Sequence, residues 1–199
     1  MQDFDQGKTE IDQTDYLKRL LDNYGMLNCQ TMSLPVEKNF YFGELKRERS
    51  ESVEIESDCR QLIGSLMYVV AGSRPDHCSA VTMLSHYQCC ANQLLYKTLL
   101  NVLRYVKGTI HLKLTYYQSD DQTVEGFVGS DLGGNKLDMK STTGFCFKIF
   151  GCTVMWGSRK QTTIALSSAE AEYVALSVAS SEAWWLKKVL SDFHIKTND

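Results

Sequence analysis

The hydrophobic period of this chain changes once, near residue 111, and that change divides the fold into a helical part followed by a strand-rich part. Upstream, apolar residues recur at helical spacing. Tyr16, Leu17, Leu20, Leu21 and Tyr24 share one face of a helix predicted over residues 14–24, with Gly25 placed to end it. Leu62, Leu66 and Val69/Val70 mark a second helix over 58–71. Arg74-Pro75-Asp76 breaks the chain, because a residue before proline is pushed out of the helical region. Asp76 is then placed to cap a helix over 77–88. Asn92 caps another, with Leu95, Leu99, Val102, Leu103 and Val106 inward and Gly108 as its stop. Residues 37–58 are dense in Glu, Lys and Arg and read as a charged connection.

Downstream, Leu112, Leu114 and Tyr116 alternate with polar neighbours, as on a half-buried strand. Ser119-Asp120-Asp121-Gln122 is a solvated turn. Further strands are predicted over Val124–Ser130, Gly144–Phe150 and Thr153–Ser158, with Gly151 forming a tight hairpin between the last two. A long helix over 168–193 closes the chain. The fold class is therefore α+β: a small helical module, then an antiparallel three-stranded sheet with one long helix.

Composition removes several function classes. Hydrophobic residues at 43% and charged residues at 23% are globular proportions. A net charge of −3 argues against a freestanding nucleic-acid binder with a strong electrostatic footprint. The seven cysteines include adjacent Cys89-Cys90 but no C-x-x-C, so no zinc pattern is present. An odd thiol count and no signal-peptide pattern after Met1 predict an intracellular protein, cytoplasmic or nuclear and not secreted. The longest apolar run, Leu66 to Ala71, is too short for a bilayer, so no membrane is expected.

The final helix opens with Ser167-Ser168-Ala169-Glu170, a capping box that gives Glu170 a structural role. Glu172 differs. The predicted apolar face runs Leu176, Ala179, Ala183, Leu186, Leu190, and four residues before Leu176 is Glu172. It is expected to head the buried stripe and point toward the sheet, where a carboxylate needs a partner, a proton or a cation. Its bland alternative is a glutamate snorkelling at the rim of the core.

The stretch Gly126-Phe127-Val128-Gly129-Ser130-Asp131, the later Lys140-Ser141-Thr142-Thr143-Gly144-Phe145, and Ala165 to Tyr173 with Glu182-Ala183-Trp184-Trp185-Leu186 resemble the start of the RNase H domain of copia-type retrotransposon Pol polyproteins. Leu62 to Tyr68, Arg74-Pro75-Asp76 and Leu103 to Thr109 are similar to the connecting region before it, and Tyr16 to Pro35 to the end of the reverse transcriptase. The resemblance implies four segments. Residues 1–35 would be the thumb-like end of the reverse transcriptase and 36–57 a charged connecting loop. Residues 58–110 would form the helical connection module, and 111–199 a truncated RNase H-like domain.

RNase H domains cut the RNA strand of an RNA–DNA hybrid with two divalent metals, normally Mg²⁺, held by clustered carboxylates. The resemblance carries the helix glutamate onto Glu172. It places the first-strand aspartate at position 129, where this chain has Gly129, and the later acids beyond Asp199. Asp131 is the other candidate ligand. It lies two residues along, about 6.6 Å at strand spacing, so it can substitute only if the strand ends or bulges there. The expected site is therefore a vestigial Glu172/Asp131 pair, a weak Mg²⁺ site at best, and the chain is expected to be inactive. Two alternatives remain. One is a nuclease fragment completed by a partner chain. The other is a domesticated nucleic-acid- or protein-binding module using Lys136, Lys140, Arg159 and Lys160 on phosphates. With the family's later strands missing, Val124–Ser130 is predicted to be a sheet edge, open to a protein partner, and Trp184 and Trp185 to be exposed.

Overall fold

A computed structural model describes residues 2–3, 7–38, 40–46, 53–119, 122–135 and 138–197. The Asp120-Asp121 turn, Lys136 and part of the charged connection lie outside the described residues. In chain order the elements are β1 (Gln2–Asp3), β2 (Lys8–Ile11), α1 (Thr14–Asn23), α2 (Val53–Gly72), α3 (Cys78–Ser85), α4 (Gln93–Gly108), β3 (Leu114–Tyr117), β4 (Val124–Ser130), β5 (Thr142–Ile149), β6 (Cys152–Lys160) and α5 (Ser168–Asp192). Short 3₁₀ turns cover Phe42–Lys46, Pro75–His77 and Gln88–Cys90. The chain forms two units: residues 11–114, and residues 1–10 with 115–199.

The 11–114 unit is helical. Leu17, Leu20 and Leu21 of α1 join Leu62, Leu66 and Val69 of α2, Val81 and Leu84 of α3, and Leu95, Leu99, Val102, Leu103 and Val106 of α4 in one core. Helix α2 begins at Val53, five residues before the predicted start, so the end of the expected loop is its first turn. Glu54 and Glu56 there favour a helix N-terminus, and Glu56 pairs with Arg60 one turn on. Asn92 caps α4 by accepting from Leu95 N at 2.9 Å, and its Nδ2 donates to Leu45 O at 3.0 Å.

Asp76 does not cap α3, whose N-cap is His77. Its carboxylate is taken by Arg74 and Tyr105. Arg74 Nε donates to Oδ1 at 2.9 Å, Arg74 Nη2 to Oδ2 at 2.7 Å, and Tyr105 Oη to Oδ2 at 2.7 Å. Arg74 is 1% exposed, and its Nη1 donates to Thr109 O at 3.1 Å. Burial alone would raise the Asp76 carboxyl; His77 at 3.6 Å, Arg74 and Tyr105 together hold it well below the usual carboxylate range.

In the other unit, β1, β2 and β3 form one antiparallel-edged sheet in that order, and β4, β5 and β6 a second. The sequence pattern predicts neither of the two N-terminal strands. The β5–β6 hairpin turns through Phe150 and Gly151, both with positive φ (54° and 77°), which is the turn geometry that fits strand twist. Strand β4 pairs along its whole length with β5 and is a sheet edge, as expected. Helix α5 packs on β4 and β5. Ala171, Ala175 and Ala179 let it approach closely, and Leu186 and Leu190 complete the contact with Phe145 and Phe147. These findings establish an α+β chain.

Candidate functional site

The buried stripe of α5 is Ala171, Ala175, Ala179, Leu186 and Leu190. The expectation that Glu172 heads this stripe is corrected: Glu172 lies one residue off it, exposed, and Leu176 with it. The sequence pattern favours Leu176 over this stripe because alanine is a weak apolar signal and leucine a strong one. Glu172 nevertheless faces the open side of β4. It lines a hollow of about 270 Å³ with Val128, Gly129, Ala169, Tyr173 and Leu176. Glu172 and Gly129 thus share one hollow. The four-residue spacing that puts Leu176 on the face of Glu172 holds in this hollow, whereas Tyr173, next to Glu172 in sequence, carries no such signal.

The start of α5 explains how Glu172 is held. Ser167 Oγ accepts from Glu170 N at 3.2 Å, which caps the helix. Glu170 Oε2 accepts from Leu166 N at 2.7 Å, one residue before the amide of a standard capping box. Glu170 is consumed by this structural role.

Gly129 stands in open space. A Cβ built there meets nothing within 4 Å. A side chain at this position is sterically free, so the packing of the strand gives no reason for glycine. Gly126 contrasts with it, since a Cβ there would come within 2.7 Å of the Phe147 ring.

Asp131 lies just past the end of β4, which stops at Ser130. Its carboxylate does not turn toward the hollow. Oδ1 accepts from Thr142 N, while Asp131 N donates to Thr142 O at 3.2 Å. The side chain also lies over Gly134, where an added Cβ would overlap it. Asp131 therefore clamps the loop to the start of β5. Around Glu172 the donor set does not fit a pair of Mg²⁺ ions, which need clustered carboxylates. Among the described residues no group of three or more His, Cys, Asp or Glu side chains is gathered to hold a metal.

Two of the four candidate basic residues are engaged with acids. Arg159 Nη1 lies 2.9 Å from Glu182 Oε1, and Lys160 pairs with Asp138. Burial would raise the Asp138 carboxyl, but Lys160 and the Lys140 backbone amide and charge bring it below its usual value. The seven cysteines are free thiols. No described helix is long and apolar enough to cross a membrane.

Comparison with known proteins identifies the lineage. An uncharacterised mitochondrial protein of Arabidopsis thaliana is 35% identical over 179 residues, 88% of this chain and 71% of that protein. The retrovirus-related Pol polyprotein from transposon TNT 1-94 of Nicotiana tabacum is 30% identical over 193 residues, 93% of this chain. The chain belongs to the retrovirus-related Pol polyprotein family of transposons. It spans 14% of the TNT 1-94 polyprotein. The secreted RxLR effector protein 161 of Plasmopara viticola also matches this Pol-family chain, at 38% identity over 124 residues, 62% of this chain and 87% of the effector. No family model matches the chain, and no solved structure matches it.

Proposed function

We propose that this chain is the copia-type Pol segment running from the end of the reverse transcriptase into the first half of an RNase H domain, and that it does not hydrolyse RNA–DNA hybrids by itself. One observation carries the reading. The order β4, β5, β6, α5 brings the first helix's Glu172 into one hollow with Gly129 at the end of the first strand, the position at which the resemblance expects an aspartate. Two-metal hydrolysis needs carboxylates on both sides of the metals. Here one of the two faces the hollow, and Asp131 is tied to Thr142.

The second reading, a nuclease fragment completed by a partner chain, is favoured by the open β4 edge beside that hollow. A nucleic-acid-binding module has less support, because Arg159 and Lys160 are paired with acids. The free cysteines accord with an intracellular location.

The test is cleavage of a labelled RNA–DNA hybrid in Mg²⁺ by the purified chain and by Glu172→Ala. The reading expects no cleavage from either. Cleavage by the parent chain that vanishes in Glu172→Ala would overturn it.

A further inference from the structure

The open edge of β4 is accompanied by a second hollow of about 270 Å³, lined by Val124, Gly126, Val128, Leu176, Ala179 and Ala183 among others. Together the two hollows form an apolar groove running beside β4, between the strand and α5. Its outer rim on the helix is Tyr173, Leu176 and Ser180, and exposed Trp184 continues the same stripe at helical spacing. An unpaired strand edge beside an apolar groove is the combination that accepts an added strand. The other edge, β6, carries Arg159 and Lys160, charges that blunt edge pairing, and α5 packs chiefly on β4 and β5 instead.

We propose that a second copy of this chain occupies the groove, through antiparallel pairing of β4 with β4 about a two-fold axis at Phe127. The inference is independent of the nuclease reading and rests on three features of this unit.

The first is self-complementarity. Pairing centred on Phe127 sets Gly126 opposite Val128 of the second copy, and Val124 opposite Ser130. Gly126 and Val128 lie on the side of the strand that faces α5, because they pair with Phe147 and Phe145. Each Val128 therefore meets the other copy's Gly126 and the Phe147 ring that lies over that glycine. On the opposite side of the sheet the two Phe127 rings meet, an aromatic cross-strand pair.

The second is helix spacing. Helix α5 sits over β4 and β5, so the two-fold axis puts the second α5 two strand spacings away, about 10 Å at ~4.8 Å per strand. Packed helices are separated by about 8–10 Å. The operation that pairs the strands thus brings Tyr173, Leu176 and Trp184 against their counterparts without a gap.

The third is area. Val124, Phe127, Val128, Tyr173, Leu176 and Trp184 are each between 38% and 76% exposed. With roughly 150–250 Å² per aromatic side chain, they offer on the order of 600 Å² per copy. Twice that, about 1,200 Å², reaches the lower bound of stable interfaces.

Sedimentation velocity of the full chain across the micromolar range tests this. The expected result is a doubled mass for the parent and for Val154→Lys on the other edge, and a single-copy mass for Val128→Lys. A cysteine pair tests the register without relying on the lysine variant's folding. Under mild oxidant Phe127→Cys should form a 127–127 disulfide, because directly opposed strand residues have Cα atoms about 4.5–5.5 Å apart. Glu125→Cys should not link to itself, since its two copies would lie about 13 Å apart along the strands. Peptide mapping by mass spectrometry separates these bonds from those of native thiols. A parent chain that stays at single-copy mass overturns the proposal. So does a dimer that survives Val128→Lys and gives no 127–127 bond.

Discussion

Replacing Asp76 by alanine leaves the guanidinium of Arg74 buried with only neutral acceptors from Thr109. At 1% exposure Arg74 has no recourse to water, and it loses two charge-assisted bonds at 2.9 and 2.7 Å. Removing one partner of a buried pair costs about 3–5 kcal/mol. Tyr105 loses its acceptor as well but sits nearer the surface, so it adds little. Set against a typical domain stability of about 5–15 kcal/mol, this is about a fifth or more of the whole. For a unit of this size the midpoint should fall by at least about 12 °C. Far-ultraviolet circular dichroism reads the transition of the helical unit directly. The double variant Arg74→Met/Asp76→Ala should recover most of the loss, because it removes the stranded charge along with its partner. A loss under about 1 kcal/mol for Asp76→Ala would place the pair among exposed ion pairs, and the reasoning from burial would be wrong. A double variant as unstable as the two single losses added together would refute it equally.

The same carboxylate sets an acid dependence. Its folded value is depressed from the ordinary 3.8, so its stabilisation is complete above pH 3.8 and is lost as pH falls below that; Asp76→Asn should flatten the melting temperature in that window. Gly129→Ala should be neutral or stabilising by about 0.4–1 kcal/mol, whereas Gly126→Ala and Gly157→Ala, whose Cβ atoms would meet the Phe147 and Phe145 rings at 2.7 and 2.6 Å, should destabilise by about 1–3 kcal/mol in urea titrations. Ser167→Ala should cost about 1 kcal/mol through loss of the α5 cap, read by the same titration. Exposed Cys89 should react with a thiol reagent in the native state, while Cys59, buried and with its thiol pushed up to about 11, should react only on unfolding.

What was legible in the sequence follows the range of the interactions involved. Helix α4 could be read from Asn92 to Gly108 because a cap and an apolar stripe are local signals. The β5–β6 hairpin was legible through Gly151, and α5 through Ser167. Strands β1 and β2 were not, because they are short and belong to a sheet whose third strand, β3, is some hundred residues away in sequence. The early start of α2 is hidden by charge: Glu54 and Glu56 resemble a solvated loop, yet they lie on the outer side of a helix whose inner side is Cys59, Leu62 and Ile63.

The candidate site was legible in the same uneven way. That Glu172 and position 129 belong together followed from the order of the motifs, and the hollow contains both. The burial of Glu172 was misjudged because alanines, not Leu176, make the close contact with the sheet. The orientation of Asp131 depended on Thr142, eleven residues on, and no pattern in the strand itself announces that clamp. Asp76 was read as a helix cap from its position after a proline; its partner Tyr105 lies on a different helix.

The central claim is that Glu172 faces its hollow as a lone carboxylate and cannot gather divalent metal. Titration with Mn²⁺, followed by the loss of its free paramagnetic signal, measures this directly. The account predicts weak, unsaturating binding that is the same for the parent chain and for Glu172→Ala. A saturable site in the parent chain that disappears in Glu172→Ala would contradict it.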